Sequence, residues 1–294
     1  MLIHINLNTS SYLPEAYAYR DYLVSNNYDV ILSESIKSYK PDLIIKFLGF
    51  TLNSHSDKKF SIIHEYSSSS VPPFPHFKNY IKKTFNGKPN GRIFLNSFVK
   101  NSFGFNDNVP FIYRDMGIDT SFFEIDEKCS LKYDVIYCGF EHIGLKSALL
   151  KLVNFKLKIV LVGNFSTDLH NTFKSNIYVT FLGRLNRNDL ASIYKSCRYG
   201  LNYTPDIFPF NSQTSTKTLE YCAAGLGIIS NKYSWIENFM KDRNCNFLWL
   251  DNILSRDYIE NFEFTTPNLE DLKWDLILKK ADFIKFIDQC IFDK

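Results

Sequence analysis

The sequence lacks the features that mark several classes of protein. Its six cysteines are scattered with no C-x-x-C spacing, which predicts reduced core residues and argues against a zinc site or a disulfide framework. No apolar run approaches the ~20 residues that cross a bilayer. The first residues have neither the basic region nor the apolar core of a signal peptide. No D-x-D carboxylate pair stands at the end of a predicted strand, so nothing in the sequence indicates a divalent metal ion.

The charge balance gives no strong signal for binding nucleic acid. The net charge is +3 and the pI is about 8.4. This small positive balance is compatible with weak contact at an anionic membrane surface. The reduced cysteines predict a cytoplasmic protein, and the positive balance adds the inner face of the membrane as a location. A hydrophobic fraction of 45% against 22% charged residues is typical of a globular chain, and 294 residues accommodate one large or two modest domains.

Helix and strand patterns alternate along the chain. Short apolar strands are predicted at residues 2–7, 29–33, 43–47, 60–66 and 92–97, with an early helix that begins at Pro14. A second alternating series opens near residue 134 and continues through residues 158–164, 177–183 and 199–203. This alternation predicts parallel sheets with helices on their faces. In such sheets ligands bind beyond the carboxyl ends of the strands.

Residues 211–231 combine several features of an anion-binding segment. Small hydroxyl residues and Lys217 lead into a short helix that contains Glu220 and is closed by Gly225, and an apolar strand follows. A loop that enters a helix presents free amides and a positive dipole end to an anion such as a diphosphate. Lys217 adds positive charge, and the Glu220 carboxylate can accept hydrogen bonds from two ribose hydroxyls. The alternative is an ordinary helix packed on a sheet, with Glu220 capping another group.

This segment resembles the nucleotide-binding segment of GT-B glycosyltransferases, especially family 4 and the related group 1 transferases. In those enzymes a pattern like P-x-K-x-x-E-x-x-A-x-G-x-P-V-V closes the donor site, and residues 214–229 match its lysine, glutamate and glycine. Residues 96–100, N-S-F-V-K, resemble the family's N-S-x-x-V-K. Residues 117–123, G-I-D-T-S-F-F, resemble its N-G-V-D-T-x-x-F, the alternative being a simple turn capped by Asp119.

The resemblance implies an α/β chain of the GT-B class, with two Rossmann-like domains and an interdomain cleft. It implies an acceptor-side domain at residues 1–125, a nucleotide-sugar domain at 126–265, and a helical tail at 266–294 that crosses back to the first domain. The implied reaction is metal-independent transfer of a sugar, with retention, from a UDP- or GDP-linked donor. A glycan or glycolipid in bacterial surface polysaccharide or lipopolysaccharide assembly is the implied acceptor. The donor is a substrate, so no separate cofactor and no nucleic-acid partner are expected.

The resemblance also implies which residues hold the donor. Lys217 and the amides near Ser215 and Thr216 would stabilise the diphosphate leaving group, and Glu220 would bind the ribose. The full set of predicted donor contacts is Gly139, His142, Lys146, Gly163, Arg184, Ser215, Thr216, Lys217, Thr218 and Glu220.

The predicted candidates on the acceptor side are His64 and Glu65, which lie at the end of a predicted strand, and His64 is the predicted catalytic residue. An imidazole there can hydrogen-bond the transferred sugar or take a proton from the acceptor. The alternative is a solvated turn in front of a serine-rich loop.

Two positions depart from the family pattern. Ser212 stands where many retaining members carry the first acid of E-x7-E, and Phe140 stands where an arginine clamps the diphosphate. Lys146 falls about one residue late for the expected lysine, while His142 lies in the same loop and can replace one donor. These departures leave the donor sugar and the stereochemical outcome open. They keep two alternatives in place: a GT-B-type nucleotide-sugar epimerase, and a binding protein without catalysis.

Overall fold

The computed structural model describes residues 1–7, 13–35, 39–47, 60–124 and 130–292. The chain forms two compact units. The first comprises Met1–Gly117 together with Leu272–Lys294, and the second comprises Ile118–Asp271. None of the helices in the described ranges is both long enough and apolar enough to cross a membrane.

The first unit is built on a parallel sheet of six strands in the order β2-β1-β3-β4-β5-β6. These strands are β1 Leu2–Asn6, β2 Asp29–Ser33, β3 Leu43–Phe47, β4 Ser61–Tyr66, β5 Gly91–Phe94 and β6 Phe111–Tyr113. The helices of this unit are α1 Pro14–Ser25, α2 Pro75–Phe85, α3 Ser97–Phe103, α10 Trp274–Lys280 and α11 Phe283–Phe292. The last two pack against α1, because the Tyr19 ring lies 6.3 Å from the ring of Trp274 in α10 and 4.7 Å from the ring of Phe283 in α11. Just beyond α1, the Tyr28 hydroxyl donates to Asp288 of α11 at 2.6 Å.

The second unit is built on another six-stranded parallel sheet, in the order β12-β11-β10-β7-β8-β9. Its strands are β7 Tyr133–Cys138, β8 Ile159–Val162, β9 Val179–Gly183, β10 Cys197–Asn202, β11 Gly227–Ser230 and β12 Leu248–Trp249. Its helices are α4 Leu145–Asn154, α5 Thr167–Phe173, α6 Arg187–Lys195, α7 Thr216–Ala223, α8 Ser234–Asp242 and α9 Arg256–Glu260.

The central strands are apolar because both faces of the sheets are covered. All four residues of β8 are buried, and β7 is buried over four consecutive residues. Continuous apolar runs of this kind are typical of parallel strands. Helix starts are equally visible in the sequence: Asn96, Ser166 and Asn186 each accept a hydrogen bond from the amide three residues on, as expected of N-caps.

The structure confirms the predicted fold class of two α/β units with parallel sheets and flanking helices. The apolar spacing near the carboxyl end predicted a helical tail, which forms as α10 and α11 with a break at Asp282, where φ is +49°. The five cysteines in the described ranges are free thiols, and Cys129 lies outside those ranges.

Candidate functional site

The second sheet contains a point at which its strand order reverses. From β7 the chain moves outward through β8 to β9, and it then returns to form β10 on the other side of β7. The connections after β7 and β10 therefore leave in opposite directions, which opens a crevice beyond the carboxyl ends of these two strands. The segments that border the crevice follow Cys138 and Asn202.

The side chain of Lys217, on α7, reaches the ends of both strands. Its Nζ lies 3.5 Å from the Tyr137 hydroxyl, near the end of β7, and 3.4 Å from the Tyr203 carbonyl oxygen, just beyond β10. The ammonium also lies 4.6 Å from the centroid of the Tyr137 ring, within cation–π range. Burial lowers the pKa of Lys217 to about 8. The crevice therefore contains a fixed ammonium group that is partly desolvated.

The N-terminus of α7 lies next to this ammonium group. The Ser215 hydroxyl caps the helix by accepting from the Thr218 amide at 3.4 Å and from the Thr218 hydroxyl at 2.9 Å, and it donates to Asn202 at 3.0 Å. The hydroxyls of Ser215 and Thr218 are thus used inside the protein. The Thr216 and Lys217 amides precede the first hydrogen bond of the helix, so they are the donors that an anion can reach.

Two glycines allow the neighbouring strand ends to approach each other. Gly139 follows β7 with φ +135°, and Gly163 follows β8 with φ +136°, which are conformations that side chains with a Cβ rarely adopt. A Cβ on Gly163 would lie 2.3 Å from the Gly139 carbonyl oxygen, and a Cβ on Gly139 would lie 3.9 Å from Lys217 Nζ. Gly139 thus keeps the space in front of the ammonium group open.

Glu220 lies three residues along α7 from Lys217 and is buried. Its Oε2 accepts a hydrogen bond from the Tyr194 hydroxyl at 3.1 Å. Burial raises the pKa of Glu220 to about 7, and the Tyr194 hydrogen bond and the charge of Arg187 oppose this rise. Hydrogen-bond donors supplied by a ligand would lower this pKa and favour the ionised carboxylate.

The segment after Gly117 supports Glu220 through Tyr194. The Phe122 ring stacks on Tyr194 with centroids 5.2 Å apart. Asp119 caps the turn by accepting from the Ser121 amide at 2.8 Å, and it also forms an ion pair with Arg187. The predicted turn capped by Asp119 and the segment that resembles the family motif are therefore one structure. It contacts Tyr194, which in turn holds Glu220.

Comparisons with known proteins identify the fold. No protein-family model matches the sequence, and no curated protein matches it. Anabaena Alr3699/HepE in complex with UDP-glucose superposes with a TM-score of 0.63 at 12% identity, over 99% of this chain and 98% of that chain. A glycosyltransferase from Rickettsia africae ESF-5 gives 0.60 at 12%, over 98% of each chain. UDP-GlcNAc 2-epimerase from Methanocaldococcus jannaschii, in complex with UDP-GlcNAc and UDP, gives 0.53 at 11%, over 96% and 100%.

The chain has the GT-B fold. Both six-stranded parallel sheets take part in the superposition, because the matches extend over nearly the whole chain. Superpositions at identities this low show the fold alone, so the activity has to follow from the residues of the site. In this GT-B chain the residues at the switch point of the second sheet are Lys217, the first amides of α7 and Gly139.

The other predicted donor contacts of the GT-B chain occupy different surroundings. His142 is half-buried, its ring 5.4 Å from Phe210, and burial with the charge of Lys217 lowers its pKa to about 4. It is therefore a neutral hydrogen-bonding group at neutral pH. Lys146 forms an ion pair with Asp168 at 2.9 Å, and Arg184 is exposed beyond β9. The structure brings His142 near Lys217, while Lys146 already has a carboxylate partner.

Several residues of the site were not predicted from the sequence. Tyr137 and Tyr203 flank the Lys217 ammonium group, and Tyr194 holds Glu220. Asn202 is buried at the end of β10, where its amide donates to Ser230 and to Tyr233, each at 2.9 Å. The tyrosines fall in strand and helix patterns as ordinary apolar positions. For these residues the sequence offered one signal of a site, the polar Asn202 at the end of an apolar strand.

The first unit contains the remaining candidates, His64 and Glu65, as neighbours in β4. Both are buried, and their side chains point to opposite faces of the sheet because successive strand residues alternate. Glu65 accepts from Arg114 at 2.9 and 3.0 Å and from the Tyr19 hydroxyl at 2.9 Å. The contacts of Glu65 are thus internal. The role of His64 in sugar or proton transfer stays a prediction.

Proposed function

We propose that this chain is a glycosyltransferase that moves a sugar from a nucleotide-sugar donor to an acceptor. The observation that carries the proposal is the position of Lys217 Nζ, which touches residues at the carboxyl ends of both β7 and β10 beside the first amides of α7. A cation and free amides at a switch point fit a diphosphate. The solved structures that match this fold include complexes with UDP-glucose and UDP, which supports a nucleotide-linked donor.

In the proposed reaction, the bond between the anomeric carbon and the diphosphate oxygen breaks, and a new bond forms to the oxygen of an acceptor hydroxyl, whose proton is released to the departing diphosphate or to water. Negative charge develops on the departing diphosphate. Lys217 and the amides of Thr216 and Lys217 are fixed before the reaction begins, so they stabilise that charge without reorganising. We propose a glycan or glycolipid of a surface polysaccharide or lipopolysaccharide as the acceptor, and retention at the anomeric carbon.

We expect this stabilisation to operate without a divalent metal ion. Among the residues that the structure describes, no group of three or more His, Cys, Asp or Glu side chains is arranged to hold a metal. Nucleotide release from a donor sugar should therefore continue in excess EDTA, because Lys217 and the helix amides supply the positive field. Assays with and without EDTA measure this directly. Loss of activity on chelation that manganese or magnesium restores would contradict the mechanism.

Glu220→Gln should have opposite effects on stability and on nucleotide binding. The pKa of Glu220 is raised from 4.5 to about 7, so the folded protein holds this proton more tightly than the unfolded chain does. The resulting stabilisation is complete below pH 4.5 and is lost as the pH rises to about 7. Without nucleotide, the variant should be more stable than the native protein at pH 8, by roughly 1–3 kcal/mol. Nucleotide affinity should fall by about 1–3 kcal/mol, because a hydrogen bond from ribose to a charged acceptor is lost.

Thermal unfolding and calorimetric titration with UDP and GDP check both effects of Glu220→Gln. Glu237→Gln is the matched control, because Glu237 is exposed on α8 of the same unit. It should leave stability and affinity unchanged. Unchanged nucleotide affinity in a folded Glu220→Gln protein would contradict the ribose assignment.

A nucleotide-sugar epimerase is the second candidate, because UDP-GlcNAc 2-epimerases also match the fold. A panel of UDP- and GDP-sugars first identifies the donor by thermal shift, since a ligand at ~100 times its Kd adds about 2.7 kcal/mol of stability. The bound donor is then incubated with and without candidate acceptors. A transferase forms a glycosylated acceptor, whereas an epimerase changes the sugar with no acceptor present. A protein that binds the donor and does neither would contradict the proposed function.

A further inference from the structure

Helix α2 of the first unit carries exposed aromatic side chains on one side. Phe77 and Tyr80 are each 62% exposed, Phe74 next to the helix start is 76% exposed, and Phe85 at its end is 51% exposed. The helical repeat places these four residues on the same side of α2. They are here called the α2 patch. Isolated exposed apolar residues are ordinary, but a contiguous aromatic group marks an interaction surface.

The side of α2 that faces the protein is polar. The buried Asn79 amide donates to the Ser69 hydroxyl at 3.1 Å and to the Ser102 carbonyl oxygen at 3.0 Å, and it accepts from the Ser70 amide at 3.1 Å. Hydrogen bonds therefore hold this helix in place, while its large aromatic rings face outward. This is the reverse of a surface helix whose apolar side packs on the core.

The surroundings of the α2 patch are positively charged. Residues 66–106 contain no Asp or Glu and six basic residues, of which Arg92 is buried and paired with Asp107 at 2.6 Å. The other five are Lys78, Lys82, Lys83, Lys88 and Lys100. The ammonium group of Lys78 donates to the Val71 carbonyl oxygen at 3.1 Å, and that of Lys83 donates to the Gly104 carbonyl oxygen. Within the part of the chain that the structure describes, Lys78, Lys82 and Lys83 form no ion pair with a carboxylate. Their charge is left for an external partner.

The lysines also repel one another. Burial and the charge of Lys78 both lower the pKa of Lys82. Negatively charged headgroups would reduce this repulsion between the lysines. The exposed aromatic rings would then move from water into the lipid interface. An anionic lipid bilayer presents both negative charge and an apolar interface over an area wide enough to cover the whole helix.

We propose that the α2 patch docks this protein on an anionic membrane surface, with the aromatic rings in the interface and the lysines against the headgroups. An exposed aromatic helix side flanked by lysines is the pattern of interfacial membrane binding. The inference does not depend on the proposed transfer reaction, since no residue of the α2 patch belongs to the Lys217 site. The binding can therefore be measured without donor or acceptor.

Co-sedimentation of the full chain with vesicles tests the proposal. The protein should bind vesicles of phosphatidylcholine mixed with phosphatidylglycerol, bind vesicles of phosphatidylcholine alone far less, and be released by salt. Phe77→Ser with Tyr80→Ser should abolish binding. Lys78→Gln with Lys82→Gln should weaken it by about five-fold for each lysine removed. All four side chains are at least partly exposed, and circular dichroism checks that the variants fold.

Matched controls lie on the second unit. Lys132→Gln with Lys174→Gln removes the same charge from exposed positions, and Ile177→Ser removes an exposed apolar side chain. These variants should bind the mixed vesicles as the native chain does. Equal loss in the controls, equal binding to both kinds of vesicle, or no binding to either would overturn the proposal. Self-association that Phe77→Ser with Tyr80→Ser removes, without vesicle binding, would assign the α2 patch to a second copy of the chain and would also overturn it.

Discussion

Lys217→Ala should lower the turnover of nucleotide sugar about 10²–10³-fold, the usual effect of removing one preorganised charge-stabilising donor. The ammonium group lies 3.5 Å from the Tyr137 hydroxyl and 3.4 Å from the Tyr203 carbonyl oxygen, and no alanine can reach that position. The fold should survive, because burial of this charge costs stability in the native protein, as the lowered pKa shows. Single-turnover kinetics with the identified donor measure the loss.

The same lysine predicts the direction of the pH dependence. Its pKa of about 8 means that the free protein loses the ammonium charge as the pH rises through that value. kcat/KM of the native protein should therefore fall above about pH 8, since this parameter follows the pKa values of the free enzyme. Lys217→Ala should lack this fall. Lys174→Ala, at an exposed position of the same unit, should keep both the native rate and the native profile. A Lys217→Ala protein with native turnover would contradict the proposed role.

Arg114→Met should destabilise the protein by about 3–5 kcal/mol, because it leaves buried carboxylates without their cation. The Arg114 guanidinium donates to Glu65 at 2.9 and 3.0 Å, to the Ser67 hydroxyl at 3.1 Å and to the Asp115 carbonyl oxygen at 2.8 Å. Glu15 approaches Arg114 within 3.5 Å. A typical domain has a free energy of unfolding of roughly 5–15 kcal/mol, so this single change removes a large share.

Denaturant unfolding of Arg114→Met and Arg20→Met compares the contribution of a buried ion pair to the free energy of unfolding with that of a surface ion pair. Arg20 pairs with Asp21 on the exposed side of α1, so its loss should cost less than about 1 kcal/mol. Adding Glu65→Gln to Arg114→Met should recover part of the stability, because it removes an unpaired buried charge. The deficit of Arg114→Met should also shrink at low pH, as Glu65 protonates. Equal losses in the two arginine variants would contradict this account.

The candidate site was only partly predictable from the sequence. Lys217 and Glu220 were predicted because they stand three residues apart at the start of a short helix that a glycine closes. Lys146 was chosen by its position after β7, but the structure pairs it with Asp168. That pairing joins residues from α4 and α5, and no local pattern encodes it. Glu65 was also a candidate, and its arginine partner lies 49 residues further along the chain.

The sequence by itself determined the alternation of strands and helices, the parallel sheets, the N-caps and the segment that holds Lys217. These features follow from periodicity and from hydrogen bonds between near neighbours, which a linear pattern records. Only the tertiary structure decided that β10 lies beside β7, which brings Tyr137 and Tyr203 to the same ammonium group. It also decided that Tyr194 holds Glu220 and that the aromatic side of α2 faces outward. Strand order results from burying the apolar faces of many elements at once, and the orientation of α2 results from the hydrogen bonds of Asn79, so residue spacing alone could not reveal either.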